Sequence, residues 1–127
     1  MISRRRLALL AIALPAVFAL PALAAKFTPA DLIAAQKTGK PVLVEITATW
    51  CPTCKAQKAV LGELDKQARF KNFVKLEVDF DSQKSDVQAL KATMQSTLIV
   101  FKGDKEMGRL VGDAKQQSIE ALLAKAL

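Results

Sequence analysis

Two periodicities of hydrophobic and polar positions divide most of the chain into strands and helices. An apolar, β-branched run at residues 41–48 is typical of a strand that is buried on both faces, and an apolar run at residues 97–101 predicts another strand. Residues 73–80 alternate between apolar and polar side chains, which predicts a further strand. Turn residues at 102–105, followed by a short run at 106–111, predict a fourth strand that pairs with the third as a hairpin.

Apolar residues at helical spacing predict four helices around these strands, which gives the order αβαβαββα. We interpret this order as an α/β fold with a central mixed β-sheet flanked by helices. Because a helix separates successive strands, we expect parallel pairing and right-handed crossovers, with the final hairpin as an antiparallel edge. The first helix is expected to begin at the N-cap Thr28 and Pro29 and to stop at Gly39, and the second to extend from about Thr53 to Phe70. The third is expected from a cap at Ser82 or Ser85 through Met94, and the fourth from Gly112-Asp113 onward.

The first 24 residues have the three-part pattern of a cleavable secretory signal peptide. A basic start at residues 4–6 precedes an apolar run from residue 7 to residue 23, and small residues at positions 22 and 24 complete the pattern. We expect cleavage after Ala24, so that residues 25–127 form the mature domain. The basic residues also resemble a twin-arginine export signal. An uncleaved membrane anchor is the alternative, although two prolines weaken this run as a spanning helix.

The net charge of +7 is partly a property of this leader. The leader contains three of the 19 basic residues and none of the 12 acidic ones, so 16 basic residues remain against 12, a net charge of +4. The remaining lysines are scattered among acids and form no basic cluster interleaved with aromatic residues. We therefore do not expect this protein to bind nucleic acid. The length of the chain predicts a single domain, of a size that one core supports.

The numbers of histidines and cysteines exclude several kinds of active site. The chain has no histidine, so it cannot form a Ser-His-Asp triad, a Cys-His pair, or a His-ligated metal or haem site. Its two cysteines cannot complete a Cys₄ zinc or iron–sulfur site within one chain. They can form one disulfide, and we expect neither a metal nor a cofactor.

Cys51 and Cys54 form a Cys-x-x-Cys motif where the first buried strand turns into a helix. The helix N-terminus provides unpaired N–H groups and the positive end of the helix dipole, which stabilise a thiolate on Cys51, the sulfur expected to be more exposed. Cys51 would attack a substrate disulfide, and Cys54 would resolve the mixed disulfide. One alternative is a structural disulfide, although a bridge that closes so short a loop stabilises a fold only a little. The other is a metal site shared by two chains.

The segment from Val44 to Lys55, which contains Trp-Cys-Pro-Thr-Cys-Lys, resembles the active-site segment of the thioredoxin family. Residues 74–79 are similar to the family's central strand, residues 97–102 to the strand after its active-site-facing loop, and Gly112 to the glycine before its last helix. The resemblance extends over nearly all of the mature chain. It implies a thioredoxin fold and thiol–disulfide exchange through a redox-active disulfide between the two cysteines.

Glu45 interrupts an otherwise apolar strand, where a carboxylate is costly unless it is paired or protonated, so its pKa is expected to rise. Such a group can shuttle a proton to or from Cys54, and the family has a buried acid at this position. Lys75 matches a lysine near that acid and is expected to be its charge partner or to extend past it. The alternative places Glu45 at an exposed strand end and Lys75 on the solvent face.

The resemblance also implies that residues around the cysteines dock the substrate, namely Trp50, Pro52, Thr53, Ser96 and Thr97. Trp50 would shield the thiolate, and an ordinary buried indole is the alternative. Pro52 suits the first helical turn because its missing N–H is not needed there.

One of these positions departs from the family, which has a cis-proline where this chain has Ser96. Because a cis peptide is much more costly without proline, we expect the Gln95–Ser96 bond to be trans. The loop facing the cysteines would then differ, and Ser96 would bring a hydroxyl near the disulfide. We expect this difference to change or narrow the choice of partner.

The residues between the two cysteines favour the reducing direction of exchange. Strong thiol oxidants of this family tend to carry a histidine there, whereas Thr53 can donate only a weak, neutral hydrogen bond to a thiolate. We expect a monomeric, periplasmic or otherwise extracytoplasmic reductase of protein disulfides in the cell envelope, kept reduced by a membrane thiol–disulfide electron donor. A thiol oxidase or disulfide isomerase is one alternative. A non-catalytic binding module with a structural bridge is the alternative of another class.

Overall fold

A computed structural model describes residues 26–127, which form a four-stranded sheet with two helices on each face. The leader predicted at residues 1–24 lies outside the described residues. The order αβαβαββα and the mixed sheet flanked by helices are confirmed. In chain order the elements are α1 (Pro29–Lys37), β1 (Val42–Thr47), α2 (Pro52–Leu64), β2 (Val74–Asp79), α3 (Lys84–Ala89), β3 (Thr97–Lys102), β4 (Lys105–Val111) and α4 (Gln116–Ala124).

Local sequence signals determine where α1 begins and ends. The Thr28 hydroxyl accepts a hydrogen bond from the Asp31 N–H at 3.2 Å, and the Asp31 carboxylate accepts one from the Thr28 N–H at 2.7 Å. This reciprocal pair is a capping box, which satisfies two N–H groups that the helix leaves unpaired. Gly39 follows the helix with φ of +75°, a conformation that favours glycine. The predicted start and stop of this helix are confirmed.

The sheet has the strand order β2-β1-β3-β4, with β1 and β3 in its centre. The pair β1–β2 is parallel, as predicted, and the β3–β4 hairpin is antiparallel. The expectation that β3 would also be parallel to its neighbour is wrong, because β3 runs antiparallel to β1. The six residues of α3 rise only about 9 Å, so this connection does not run the length of a six-residue strand, about 20 Å, and β3 begins at the end of the sheet where β2 finishes.

Three of the helices differ in extent from the predicted ones. α2 ends at Leu64, and a separate 3₁₀ turn occupies Ala68–Phe70, where a single helix was expected. α4 begins at Gln116, because Gly112 adopts a φ of +67° and a turn precedes the helix. No helix between residues 26 and 127 is long and apolar enough to cross a membrane.

α3 is the helix that differs most from its predicted extent. Neither predicted serine caps it, since Gln83 occupies that position and makes no capping hydrogen bond. It ends at Ala89, before the predicted end at Met94, because the Arg109 guanidinium binds the carbonyl oxygens of Leu90 and Lys91 at 3.0 and 3.1 Å. Lys91 then turns into a left-handed conformation, with φ of +55°.

The residues of β1 are buried on both faces of the sheet, which explains their continuous apolar run. Val42, Val44 and Ile46 belong to the core beneath α1 and α3, whereas Leu43 belongs to the core beneath α2 and α4. Because side chains alternate along a strand, Glu45 shares the face of Leu43 and lies on the side of α2. The one carboxylate of this strand is therefore enclosed beneath the helix that begins at the cysteines.

Candidate active site

Cys51 is the N-cap of α2 and lies in the tight turn that follows β1. Its N–H donates to the Ala48 carbonyl oxygen at 3.2 Å, and its Sγ accepts a hydrogen bond from the Cys54 N–H at 3.1 Å. Pro52 occupies the first helical position, where no N–H is needed. A sulfur at this position faces the unpaired N–H groups and the positive end of the helix, which stabilise negative charge after reduction.

A disulfide joins Cys51 to Cys54, whose Cα atoms are 5.3 Å apart. Both residues are buried, with 1% and 3% of their surfaces exposed, and they pack with Ala48 against Phe80. The expectation that Cys51 would be the more exposed of the two is therefore wrong for the oxidised protein. The turn that places Cys51 over the helix end also covers it.

The first turn of α2 contains no acidic residue, and its last turn contains no basic one. No side chain in these two turns therefore offsets the partial charge at the corresponding end of the helix. Thr53, between the cysteines, is half-buried, and Lys55 directly after them is exposed. The positive end of the helix thus acts on the Cys51 sulfur.

Glu45 lies buried beneath α2 with 8% of its surface exposed, so the alternative of an exposed strand end is wrong. Burial is the main cause that raises the pKa of its carboxyl above the ordinary value of 4.5, and the neighbouring Glu77 carboxylate raises this pKa further. The positive charges of Lys58 and Lys75 act in the opposite direction. Glu45 is accordingly a carboxyl that holds its proton to higher pH than an exposed glutamate.

Two ion pairs surround this buried carboxyl. Lys58 on α2 pairs with Glu77, which lies directly opposite Glu45 in the β1–β2 register. Lys75 pairs with Asp65 at the end of α2, and its side chain is 31% exposed. The predicted direct partnership of Lys75 with Glu45 is thus replaced by a pair with Asp65, although the lysine charge still lowers the pKa of Glu45.

Sequence reasoning missed Lys58, one of the two lysines whose charge lowers the pKa of Glu45. Lys58 follows Cys54 by one helical turn, and its charge lowers the pKa of Glu45 more than the charge of Lys75 does. The spacing of four residues from Cys54 is a signal that could have identified it, because residues four apart lie on one helix face. Glu77 gives a similar signal, since it alternates with the apolar Leu76 and Val78 of β2 and pairs with Glu45 in the register.

A groove of about 580 Å³ extends from Cys54 to the ion pair between Lys58 and Glu77. Its wall includes Thr47 from the end of β1, Lys58 from α2, and Glu77 and Asp79 from β2. Solvent in this groove therefore reaches from the Cys54 side of the disulfide to the charges around Glu45. The arrangement can carry a proton between the second cysteine and water.

Asp79 closes one end of this groove and orders the turn after β2. Its Oδ1 accepts hydrogen bonds from the Ser82 N–H at 2.8 Å, the Ser82 hydroxyl at 2.9 Å and the Asp81 N–H at 3.0 Å. These bonds, with the Ser82 N–H first, hold the pKa of Asp79 below its usual value. The turn they stabilise presents Asp81 towards the loop that contains Trp50.

The Trp50 indole is exposed over 57% of its surface, so the alternative of an ordinary buried indole is wrong. Its Nε1–H donates to Oδ2 of Asp81 at 2.7 Å. This bond satisfies the polar end of the ring and leaves its apolar body at the surface beside Cys51 in sequence. An exposed, held indole next to the disulfide is suited to contact another protein.

Ser96 and Thr97 lie at the same edge of the sheet as the disulfide, because Thr97 pairs with Ile46 near the end of β1. Both are buried, at 2% and 1% exposure. No peptide bond between residues 26 and 127 is cis, which agrees with the prediction of a trans bond before Ser96. Ser96 has φ of +56°, and its hydroxyl donates to the Gln95 carbonyl oxygen at 2.6 Å.

Sequence reasoning also missed Gln57, a buried residue of α2. The apolar Ala56, one turn before Val60, is the position that the sequence pattern predicts to be buried, but Ala56 is exposed and Gln57 is buried at 2% exposure. Its spacing of three from Cys54 and four from Leu61 places it on the buried face. The polar nature of the side chain concealed this signal.

The raised pKa of Glu45 predicts a specific dependence of stability on pH. The folded protein binds this proton more tightly than the unfolded chain does, so the free energy of unfolding of the wild type falls as pH rises from about 4.5 through the folded pKa. In Glu45→Gln this loss is absent. We expect the stability of the oxidised variant relative to the oxidised wild type to rise with pH, by roughly 1.4 kcal/mol for each unit by which the pKa is raised.

Urea denaturation of both oxidised proteins between pH 4 and pH 8 measures this difference. Glu63→Gln is the matched control, because the Glu63 side chain is 67% exposed and should show no such divergence. A stability difference between Glu45→Gln and wild type that stays constant with pH would contradict the prediction.

Comparison with known proteins agrees with this geometry. A family model described as Thioredoxin matches residues 26–125. Over 97 residues the chain is 35% identical to a thioredoxin H-type of Brassica oleracea, covering 74% of each protein. It is 33% identical over 101 residues to a thioredoxin of Alicyclobacillus acidocaldarius subsp. acidocaldarius, covering 79% of this chain and 94% of that one.

Solved structures give the same result. The crystal structure of Trxlp from Edwardsiella tarda EIB202 has a TM-score of 0.73 and 34% sequence identity, and the match covers 77% of this chain and 95% of that chain. The predicted thioredoxin fold is confirmed by this likeness, and the Cys51–Cys54 pair lies at the N-terminus of α2. The chain belongs to the thioredoxin family and is a thiol–disulfide oxidoreductase.

Proposed function

We propose that this oxidoreductase is an exported reductase of protein disulfides. The observation that carries the proposal is the environment of the Cys51 sulfur, to which the Cys54 N–H donates a hydrogen bond. The two residues between the cysteines, Pro52 and Thr53, have no ionisable side chain. A thiolate that is stabilised only by neutral donors and the helix end favours a low reduction potential, because the reduced form gains less.

The catalytic roles follow the order of the two sulfurs along α2. The Cys51 thiolate attacks one sulfur of a substrate disulfide, and the other substrate sulfur leaves as a thiolate. The Cys54 thiolate then attacks the Cys51 sulfur, which releases the second substrate thiolate and regenerates the Cys51–Cys54 disulfide. Glu45 accepts the proton of Cys54, and Trp50, Pro52, Thr53, Ser96 and Thr97 form the surface on which the substrate docks.

Reduction of an insulin disulfide by dithiothreitol tests the enzymatic role against a binding module. The wild type should accelerate turnover, and Cys51→Ser should reduce it to the uncatalysed background, because the attacking sulfur is lost. Lys55→Ser, an exposed change next to the motif, is the control and should retain turnover. Equal turnover of the wild type and Cys51→Ser would instead support a non-catalytic module with a structural bridge.

The reduction potential of the cysteine pair tests the direction of exchange. For a reductase we expect a value near roughly −270 mV, whereas a value near roughly −120 mV would support the oxidase or isomerase alternative. Thr53→His should shift the potential upward by about 30 mV or more, the equivalent of one charge-assisted hydrogen bond to the thiolate. Thr53→Val is the matched control and should stay close to the wild type. Equilibration with defined glutathione or dithiothreitol buffers measures all three.

The proposed extracytoplasmic location rests on the leader pattern of residues 1–24. The family match begins at residue 26, directly after that segment, which is consistent with a domain boundary there. Its substrates would then be oxidised proteins of the cell envelope. A membrane thiol–disulfide protein would have to supply the electrons, because each catalytic cycle leaves the Cys51–Cys54 pair oxidised.

Expression of the whole chain in a bacterium with a cell envelope tests this location. We expect a periplasmic product that begins at Ala25, as determined by mass spectrometry of the intact protein. Changing Arg4 and Arg5 together to lysine should block export only if the twin-arginine route is used. An intact leader in the membrane fraction would support the uncleaved anchor, and an intact chain in the cytoplasm would contradict export.

A further inference from the structure

Gln57 is a buried polar residue that the exchange mechanism described above does not use. It lies on α2 one turn beyond Cys54 and is 2% exposed. Its side-chain Nε2 donates to two backbone carbonyl oxygens, those of Ser96 and Asp113, each at 3.0 Å. Both amide hydrogens are thus directed at main-chain atoms of other segments, since an amide nitrogen carries two donors.

The two carbonyls belong to loops that lie side by side at one edge of the sheet. Ser96 directly precedes β3, and Asp113 follows β4. The Gly112 N–H also donates to the Ser96 carbonyl oxygen, at 2.9 Å. The Ser96 carbonyl therefore accepts hydrogen bonds both from α2 and from the segment after β4, and Gln57 connects all three segments.

Ser96 needs such support because its backbone conformation is unfavourable for a residue with a Cβ. Its φ of +56° lies in the left-handed region, which residues other than glycine seldom occupy. Such a conformation persists only when the surrounding structure holds it. The bonds to the Ser96 carbonyl and its near-complete burial provide that constraint.

The register of the sheet places this supported residue beside the disulfide. Thr97 pairs with Ile46, and the chain reaches Cys51 five residues after Ile46 through the turn that begins α2. Ser96 and the cysteines are therefore neighbours at the same sheet edge. The backbone of this loop therefore borders the place at which a protein substrate reacts with Cys51.

We propose that Gln57 is a positioning residue that holds the Ser96 backbone in the conformation needed to dock an extended polypeptide disulfide. The inference rests on the docking role given to Ser96 in the proposed function. A small disulfide reaches Cys51 without pairing along the loop, so its reaction does not depend on Gln57. The substrate class that Gln57 favours is therefore a protein or peptide disulfide with extended backbone around its cysteine.

Steady-state kinetics of Gln57→Met with two substrates tests this proposal. Methionine keeps the length of the side chain but has no N–H to donate. With insulin the KM should rise about tenfold while kcat stays near the wild-type value, as loss of hydrogen bonds that hold the docking backbone predicts. With 5,5′-dithiobis(2-nitrobenzoate), a small disulfide, and in the reduction potential, the variant should match the wild type.

Two further variants make the test specific. Gln117→Met, an exposed change on α4, should leave the kinetics with both substrates unchanged. Ser96→Gly removes the strain of the φ of +56°, so the loop needs less support, and the rise in KM caused by Gln57→Met should be smaller when Ser96→Gly is also present. Retention of the full rise in the Ser96→Gly background would overturn the proposal.

The remaining outcomes are also decisive. An unchanged KM for insulin in Gln57→Met overturns this inference and leaves the proposed reductase intact, whereas a wild type that reduces no protein disulfide overturns both. Equal losses with both substrates, accompanied by a lower melting temperature, assign Gln57 a purely structural role and overturn the proposal.

A measurement that keeps Gln57 in place covers the case in which Gln57→Met does not fold. In Cys54→Ser, a peptide can be trapped as a mixed disulfide on Cys51. Hydrogen exchange of the Gln57 side-chain amide, followed by NMR, should slow when the peptide is bound, because docking stabilises the loop. Exchange that is the same with and without peptide would overturn the proposal.

Discussion

β1 is hydrogen-bonded to β2 on one side and to β3 on the other, and these two pairings determine which residues meet at the end of the sheet that carries Cys51 and Cys54. Parallel pairing with β2 brings Asp79, at the end of that strand, to the edge where β1 leads to Cys51. Antiparallel pairing with β3 brings the start of that strand, and hence Ser96, to the same edge. If β3 ran in the other direction, Ser96 would lie at the far edge of the sheet.

The central position of β1 also explains how a carboxyl comes to be enclosed. Both faces of this strand are covered, so a carboxyl in it is removed from bulk solvent. The helix offers Lys58 above Glu45, and β2 offers Glu77 beside it. The proton on Glu45 therefore depends on its burial and on the charges of both surrounding ion pairs.

Most of the framework could be predicted because its signals are local. The apolar runs placed β1 and β3 within a residue or two, and Thr28 and Gly39 placed α1, since each signal acts on its own neighbours in sequence. The end of α3 could not be predicted, because Arg109, 18 residues beyond Lys91, binds the carbonyls that terminate it. The direction of β3 was also missed, because the local pattern of a strand does not specify which strand it pairs with or in which direction.

The same distinction applies to the site. The cysteines and Glu45 stand out because each is unusual for its position, a thiol pair at a helix start and an acid in an apolar strand. Gln57 and Lys58 do not stand out, because polar residues are common on helices and their importance comes from distant partners, Ser96 and Glu77. Their effects arise only when α2 is placed against the sheet.

The absence of an acid from the first turn of α2 links folding to redox state. A thiolate formed on Cys51 by reduction is the only side-chain charge that can complement this helix end from the N-cap position. The unfolded chain has no helix and no such complement. By a thermodynamic cycle, the difference in folding free energy between the reduced and oxidised proteins equals the difference in the free energy of reduction between the folded and unfolded chains. Any stability that the helix end gains from the thiolate therefore makes the folded protein a stronger oxidant by the same amount.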